Sequence, residues 1–367
     1  RIGGCTPAPD NSPPVENPVP FATLFSNVSA MLFGQSPLGA SDDPDRLLVE
    51  ALIEAVVDAV DPRLRLASKY REKLAPGVRR TIAHLRTFGP RVPEPLELSR
   101  ASWSSNPLVA AFFARPDDIP VALGQSHELR VFFDAPANAA VQEAFALLGM
   151  KLEERTVLGA ALVKNAVQRD VAQKTISFSG HRLVAPSVEP LACRLEVGTR
   201  ILRRLAALAL QRIIAREQRI TELQERKGIL ATRLRLLTLR RGGLQGLAGD
   251  APDESAEIAN LEHALKATVD EYIDTKTNLA TLDGTIGIIN EILGAPERQV
   301  DLAVVRRRLN RMGVVVDAGA SDAAADLEFV ELSIGDGLRA VIALVRVPRA
   351  EMPSKGDRLQ DAARQLL

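Results

Sequence analysis

Apolar residues recur in alternating steps of three and four from Ala192 to Leu237 and again from Ile258 to Leu293. That spacing keeps one side of an α-helix apolar, and a stripe held for about six heptads asks for a partner helix along its whole length. Only Thr199, Arg216 and Lys227 break the first run; in the second, Thr268 and Thr275 are the polar members. Between the runs lie Gly242, Gly243, Gly246, Gly249 and Pro252, residues that turn a chain rather than extend a helix. The pattern predicts an antiparallel coiled-coil hairpin over residues 187–296. Folding about Leu247 pairs residues whose numbers sum to about 494, which sets Ala206 and Ala209 near Gly287 and Gly284.

Elsewhere the same reading yields shorter elements. Asp42-Asp43-Pro44-Asp45 starts a helix over 46–60, two more follow over 63–75 and 77–88, and Pro90, Pro93 and Pro95 end the series. Ser105-Asn106-Pro107 caps a helix running through Ala114. Short helices are expected over 117–123 and 126–133, and a longer one over 135–150. Trp103, Phe112, Phe113, Phe132, Phe133 and Phe145 mark the N-terminal core in a chain with only 4% aromatic residues. Residues 175–179 alternate like a strand, while Glu153 and Glu154 read as a solvated helix face. Glu297 to Met312 is expected as a helix with Val300, Val304 or Val305, and Leu309 inward, closed by Gly313; Val314 to Val316 then form a short strand. Two strand-rich runs, 327–334 and 338–347, flank the turn Gly335-Asp336-Gly337.

The predicted fold is therefore mainly α. It divides into a proline-rich leader (1–45), a helical N-terminal domain (46–186), the coiled-coil hairpin (187–296) and a small α/β C-terminal region (297–367) that carries a β-hairpin.

Charge changes the picture only locally. The chain holds 46 basic and 46 acidic residues, so nothing global attracts nucleic acid. Residues 195–241 hold 12 Lys or Arg against 4 Glu, whereas 253–293 hold 9 acidic residues against 2 Lys, so the two helices complement each other. Two cysteines, Cys5 and Cys193, exclude a disulfide framework, and four dispersed histidines offer no metal-ligand spacing. No run of about 18 apolar residues exists to span a membrane. Ile2-Gly3-Gly4-Cys5 resembles a bacterial lipobox, and a proline-rich stretch follows it, so Cys5 is a candidate lipidation site.

Motifs of known chemistry find no supporting context. Gly335 to Ala340 has the spacing of a dinucleotide-binding turn, but the residues after it are strand formers where that motif needs a helix. Ser177, Ser179, His181 and Arg182 lie together without a carboxylate. Arg306, Arg307, Arg308 and Arg311 form a basic cluster that adds to the arginines of the first helix, but residues 195–241 contain no aromatic residue to stack a base, and the acidic second helix cancels most of their field. No catalytic, cofactor or metal site is assigned. The expected function is non-enzymatic: an interaction or scaffold protein whose hairpin is a docking or oligomerisation arm, with Leu244 and Leu247 at its tip as the contacts to a protein partner or a second copy. A bacterial envelope lipoprotein using the arm as a spacer is the alternative, with a nucleic-acid binder acting through basic helices behind it. The expected compartment is the cytoplasm, or the envelope if Cys5 carries a lipid.

Overall fold

A computed structural model describes residues 43–163, 166–241, 252–279, 281–316 and 324–353. Its centre is a six-stranded sheet of order β3-β2-β6-β5-β4, in which β1 lies parallel to β6 and the other neighbours are antiparallel. The strands are β1 (Leu96–Glu97), β2 (Glu143–Val163), β3 (Ala166–Ser187), β4 (Val300–Asn310), β5 (Ala324–Ile334) and β6 (Leu338–Pro348). The described helices are α1 (Asp43–Val60), α2 (Tyr70–Arg86), α3 (Arg100–Ser105), α4 (Pro107–Phe112), α5 (Asp118–Gln125), α6 (His127–Asp134), α7 (Pro190–Arg241), α8 (Pro252–Leu279) and α9 (Leu282–Leu293), besides short 3₁₀ turns. The architecture is mixed α and β, which overturns the mainly α expectation.

Helices cover both faces of the sheet. Along β6, Val341, Ala343, Val345 and Val347 enter a core shared with α4, α5 and α6, while Ile342 enters a second core with α1, α2, α7 and α9. Such a strand is apolar at nearly every position, because each residue meets a covered face whichever way it points. The same cause explains the largest correction. Residues 135–150 were expected as a helix, yet Ala144, Ala146, Leu148 and Met150 of β2 fill the first core while Leu147 packs on the second. Two-sided burial erases the alternation that marks a strand, and alanine and leucine then imitate a helix.

The expected helix over 297–312 is likewise strand β4. Val300 and Leu302 face the long helices, whereas Val305 and Leu309 face the opposite core. Glu153 and Glu154 accordingly sit on strand β2 rather than on a helix. Gly313 ends no helix. With φ +74° it turns the chain so that its carbonyl accepts from Ile176 N at 2.8 Å, and a Cβ there would lie 2.5 Å from the Ile176 oxygen. Val315 N then donates to Lys174 O at 2.8 Å and Val316 N to Arg308 O at 3.0 Å. Residues 313–316 thus join the two outer strands, β3 and β4, at one end of the sheet.

The helices against the second face are cross-tied. Thr81 Oγ1 donates to Leu293 O at 2.9 Å, and Asn290 Nδ2 donates to Lys73 O at 2.8 Å. In α7, Leu202, Leu205, Ala206 and Ala209 are at most 1% exposed. This half of the helix is core. The other half is not.

Candidate interaction arm

Helix α7 has 52 residues and is about 78 Å long at 1.5 Å per residue. Past Ile213 it leaves the sheet and packs chiefly against α8. Here the apolar seam of the sequence faces α8: Leu223 is buried, and Ile220, Leu230, Leu234 and Leu237 are half-buried. On α8, Leu261 and Thr268 are buried, with Ile258, Leu265, Tyr272 and Thr275 partly covered. Arg219 meets Glu271 at 2.7 Å and Arg233 meets Glu257 at 2.6 Å. Both pairs sum to 490, so one antiparallel register holds over that stretch.

The polar residues within the first seam each have a local reason. Thr199, 5% exposed, returns its hydroxyl to Leu195 O at 3.0 Å. Arg216 reaches Glu291 of α9 at 3.3 Å. The Lys227 ammonium stands 5.1 Å from the centre of the Tyr272 ring, and Lys276 stands 5.2 Å from it while donating to the Tyr272 hydroxyl. That hydrogen bond holds the Tyr272 phenol below its usual pKa.

The register inferred from sequence fails near the body. The second helix does not run unbroken to Leu293: Thr281 starts a new helix, its side chain accepting from Gly284 N at 3.0 Å. Helix α9 then turns Ile286, Ile289, Ile292 and Leu293 into the core. Gly287 is exposed, and nothing lies within 4 Å of a Cβ placed there, so no close approach to Ala206 occurs at that position.

The arm also exposes apolar surface away from its seam. Ile229, Leu236 and Leu239 of α7 are 68%, 62% and 64% exposed, and Ile273 of α8 is 52% exposed. Ile229 and Leu236 are one heptad apart and Leu239 is three residues further, so the three share a side of α7. This second stripe lies outside the seam that the sequence pattern marks. The signal lay in the leucines at the off-seam positions 236 and 239.

At the base, α7 is clamped to the rest of the molecule. Arg200 binds Glu128 of α6 through both terminal nitrogens, each at 2.8 Å, and holds Glu196 at 2.9 Å. Glu128 also accepts the Ala185 N–H at 3.0 Å from β3, where Ala185 has φ +56°. The Arg200 guanidinium keeps the Glu128 carboxyl below its usual pKa against the opposing effect of burial.

Leu244, Leu247 and Cys5 lie outside the described residues. The Ser177–Arg182 group forms no catalytic constellation: His181 Nε2 donates to Phe112 O at 2.7 Å and its ring stacks on Phe113, while Ser179 donates to Glu153 at 2.8 Å. Burial pushes the His181 pKa down, with the Phe112 carbonyl opposing it. Cys193 is fully buried, and burial pushes its thiol up to about 12, which keeps it protonated and unreactive. Of the arginine cluster, Arg306 pairs with Glu328 at 2.6 Å. Gly335 to Gly337 join two strands, β5 and β6. Among the described residues no group of three or more His, Cys, Asp or Glu is arranged to hold a metal, and no helix is long and apolar enough to cross a membrane. Compared with protein-family models, curated proteins and solved structures, the chain matches none of them.

Proposed function

We propose that this protein is a non-enzymatic interaction or scaffold protein, and that the α7–α8 pair is its docking or oligomerisation arm. The observation that carries this reading is the row Ile229, Leu236 and Leu239, exposed on a helix whose seam is already occupied by α8. Large apolar side chains grouped on one helix face and surrounded by arginines are a common contact surface between proteins. The ion pairs Arg219–Glu271 and Arg233–Glu257 support an arm that holds its own shape and presents that face at a distance from the body.

The test uses a shortened arm. Leu223 and Thr268 are both buried and face each other, so replacing residues 224–267 by a short glycine-rich turn keeps the last well-packed layer. The shortened protein is expected to unfold at the same denaturant midpoint as the full chain. It is also expected to lose partners captured by the full chain from the native cell, or its self-association in light scattering. Retention of the same partners and the same particle mass would refute the arm's role.

A further inference from the structure

A cavity of about 890 Å³ opens between helices α3 and α4 and the end of the sheet where β3 and β4 are joined. Its floor is apolar and comes from four separate segments: Phe112, Phe178, Leu309 and Leu327 are each 9% exposed or less. Phe112 and Phe178 meet edge to face with centroids 5.0 Å apart, which fixes the floor's shape. Trp103 forms a wall and is oriented by its indole N–H, which donates to Phe113 O at 2.8 Å. The volume falls in the range of small-molecule sites, which combine a mainly apolar lining with a few polar groups.

The polar lining is one-sided in charge. Among the described residues around the cavity there is no Asp or Glu, and one of them, Arg311, is a full cation. Arg311 is exposed at the rim, and among the described residues no carboxylate pairs with it. The other polar groups there are neutral, Ser105, Asn106, Ser177 and Asn310 among them. We infer that this cavity binds an amphipathic monocarboxylate, with its acyl or aromatic body on the phenylalanine floor and its carboxylate on the Arg311 guanidinium. A single guanidinium balances a single negative charge and presents the paired N–H donors that a carboxylate accepts. A dianionic phosphate would leave one charge uncompensated. This assignment is independent of the arm's role.

Trp103 is the single tryptophan of the chain, so its fluorescence reports the cavity directly. The probes are dodecanoate and 2-naphthaleneacetate, with dodecanol as the neutral counterpart and phenyl phosphate as the dianion, all below any micelle concentration. The carboxylates are expected to change Trp103 emission saturably with one site per chain, and more tightly than dodecanol or phenyl phosphate. Arg311→Gln should weaken the carboxylates roughly tenfold, the loss typical of one charge-assisted hydrogen-bonded pair, and leave dodecanol unchanged. Ala110→Phe, which places a ring in the cavity, should abolish binding of all probes while circular dichroism stays native. No saturable response to either carboxylate would overturn the assignment. So would equal affinity in Arg311→Gln, preference for the phosphate, or binding that survives Ala110→Phe.

Discussion

The two halves of α7 carry one continuous seam, yet they live in different surroundings. In the inner half, Leu205, Ala206 and Ala209 are fully buried because α1, α9 and the sheet surround them. In the outer half, Leu230, Leu234 and Leu237 have one neighbouring helix and stay half-exposed, and Ile229, Leu236 and Leu239 face away from it. Periodicity reveals which side of a helix is apolar. It is silent on how many elements gather around that side, and that number sets most of the stability. The body should therefore unfold as a unit, while the outer arm, held by few buried groups and exposed ion pairs, opens at lower cost.

The largest effect expected is at the core. Leu205→Ala removes a fully buried side chain and should cost about 2–5 kcal/mol in urea-induced unfolding. Leu236→Ala, at a position 62% exposed, should stay within about 0.5 kcal/mol. Comparable losses at both positions would mean that something covers the outer face in solution, and the contrast between the halves would dissolve.

A smaller effect is expected at the clamp that anchors the inner half. Glu128→Gln removes the charge that Arg200 binds and should cost about 1–2 kcal/mol, towards the low end for charged hydrogen bonds because solvent reaches both side chains. Its pH dependence has a definite sign. The folded carboxyl sits below its unfolded value, so the clamp's contribution is complete above the ordinary glutamate pKa of about 4.3 and fades as pH falls through the lower folded value. The gap between the parent and the Gln variant should accordingly be constant near neutral pH and close in the acid range. A gap that widens on acidification would show that Glu128 is not held as a carboxylate.

Legibility in the sequence follows the same division between local and non-local cause. The Asn106 cap needs only its own neighbours, and its side chain accepts from Leu108 N and Val109 N. The turn at Gly335, with φ +56°, is equally local. Strand β2 is not, because Ala144 is a strand residue through its pairing with Val347, far away in the chain. Strand β4 is misread for a related reason: Val300 and Leu302 serve one core, Val305 and Leu309 the other, and that spacing overlaps a helical one. Pro76 sits inside α2 although proline normally stops a helix, since the packing of Leu74, Val78 and Ile82 outweighs the lost hydrogen bond. The cavity was out of reach of local reading as well, because Trp103, Phe178, Leu309 and Arg311 come together only when the sheet closes.

The smallest effect separates the halves most finely. Gly228 in the outer part of α7 and Gly287 in α9 are both exposed helical glycines, with nothing within 4 Å of the Cβ that alanine would add. Alanine should favour either helix by about 1 kcal/mol, through reduced freedom of the unfolded chain and better helix propensity. The difference lies in what each helix is coupled to. Helix α9 places Ile286, Ile289 and Ile292 in the main core, so Gly287→Ala should raise the midpoint of global unfolding. Gly228→Ala stabilises only the outer arm, which opens before the body does, so it should leave the global midpoint nearly unchanged. Its gain should appear instead as slower amide hydrogen exchange around residues 224–234. An equal rise of the global midpoint in both variants would show that arm and body unfold together, and the boundary drawn across α7 near Ile213 would then be wrong.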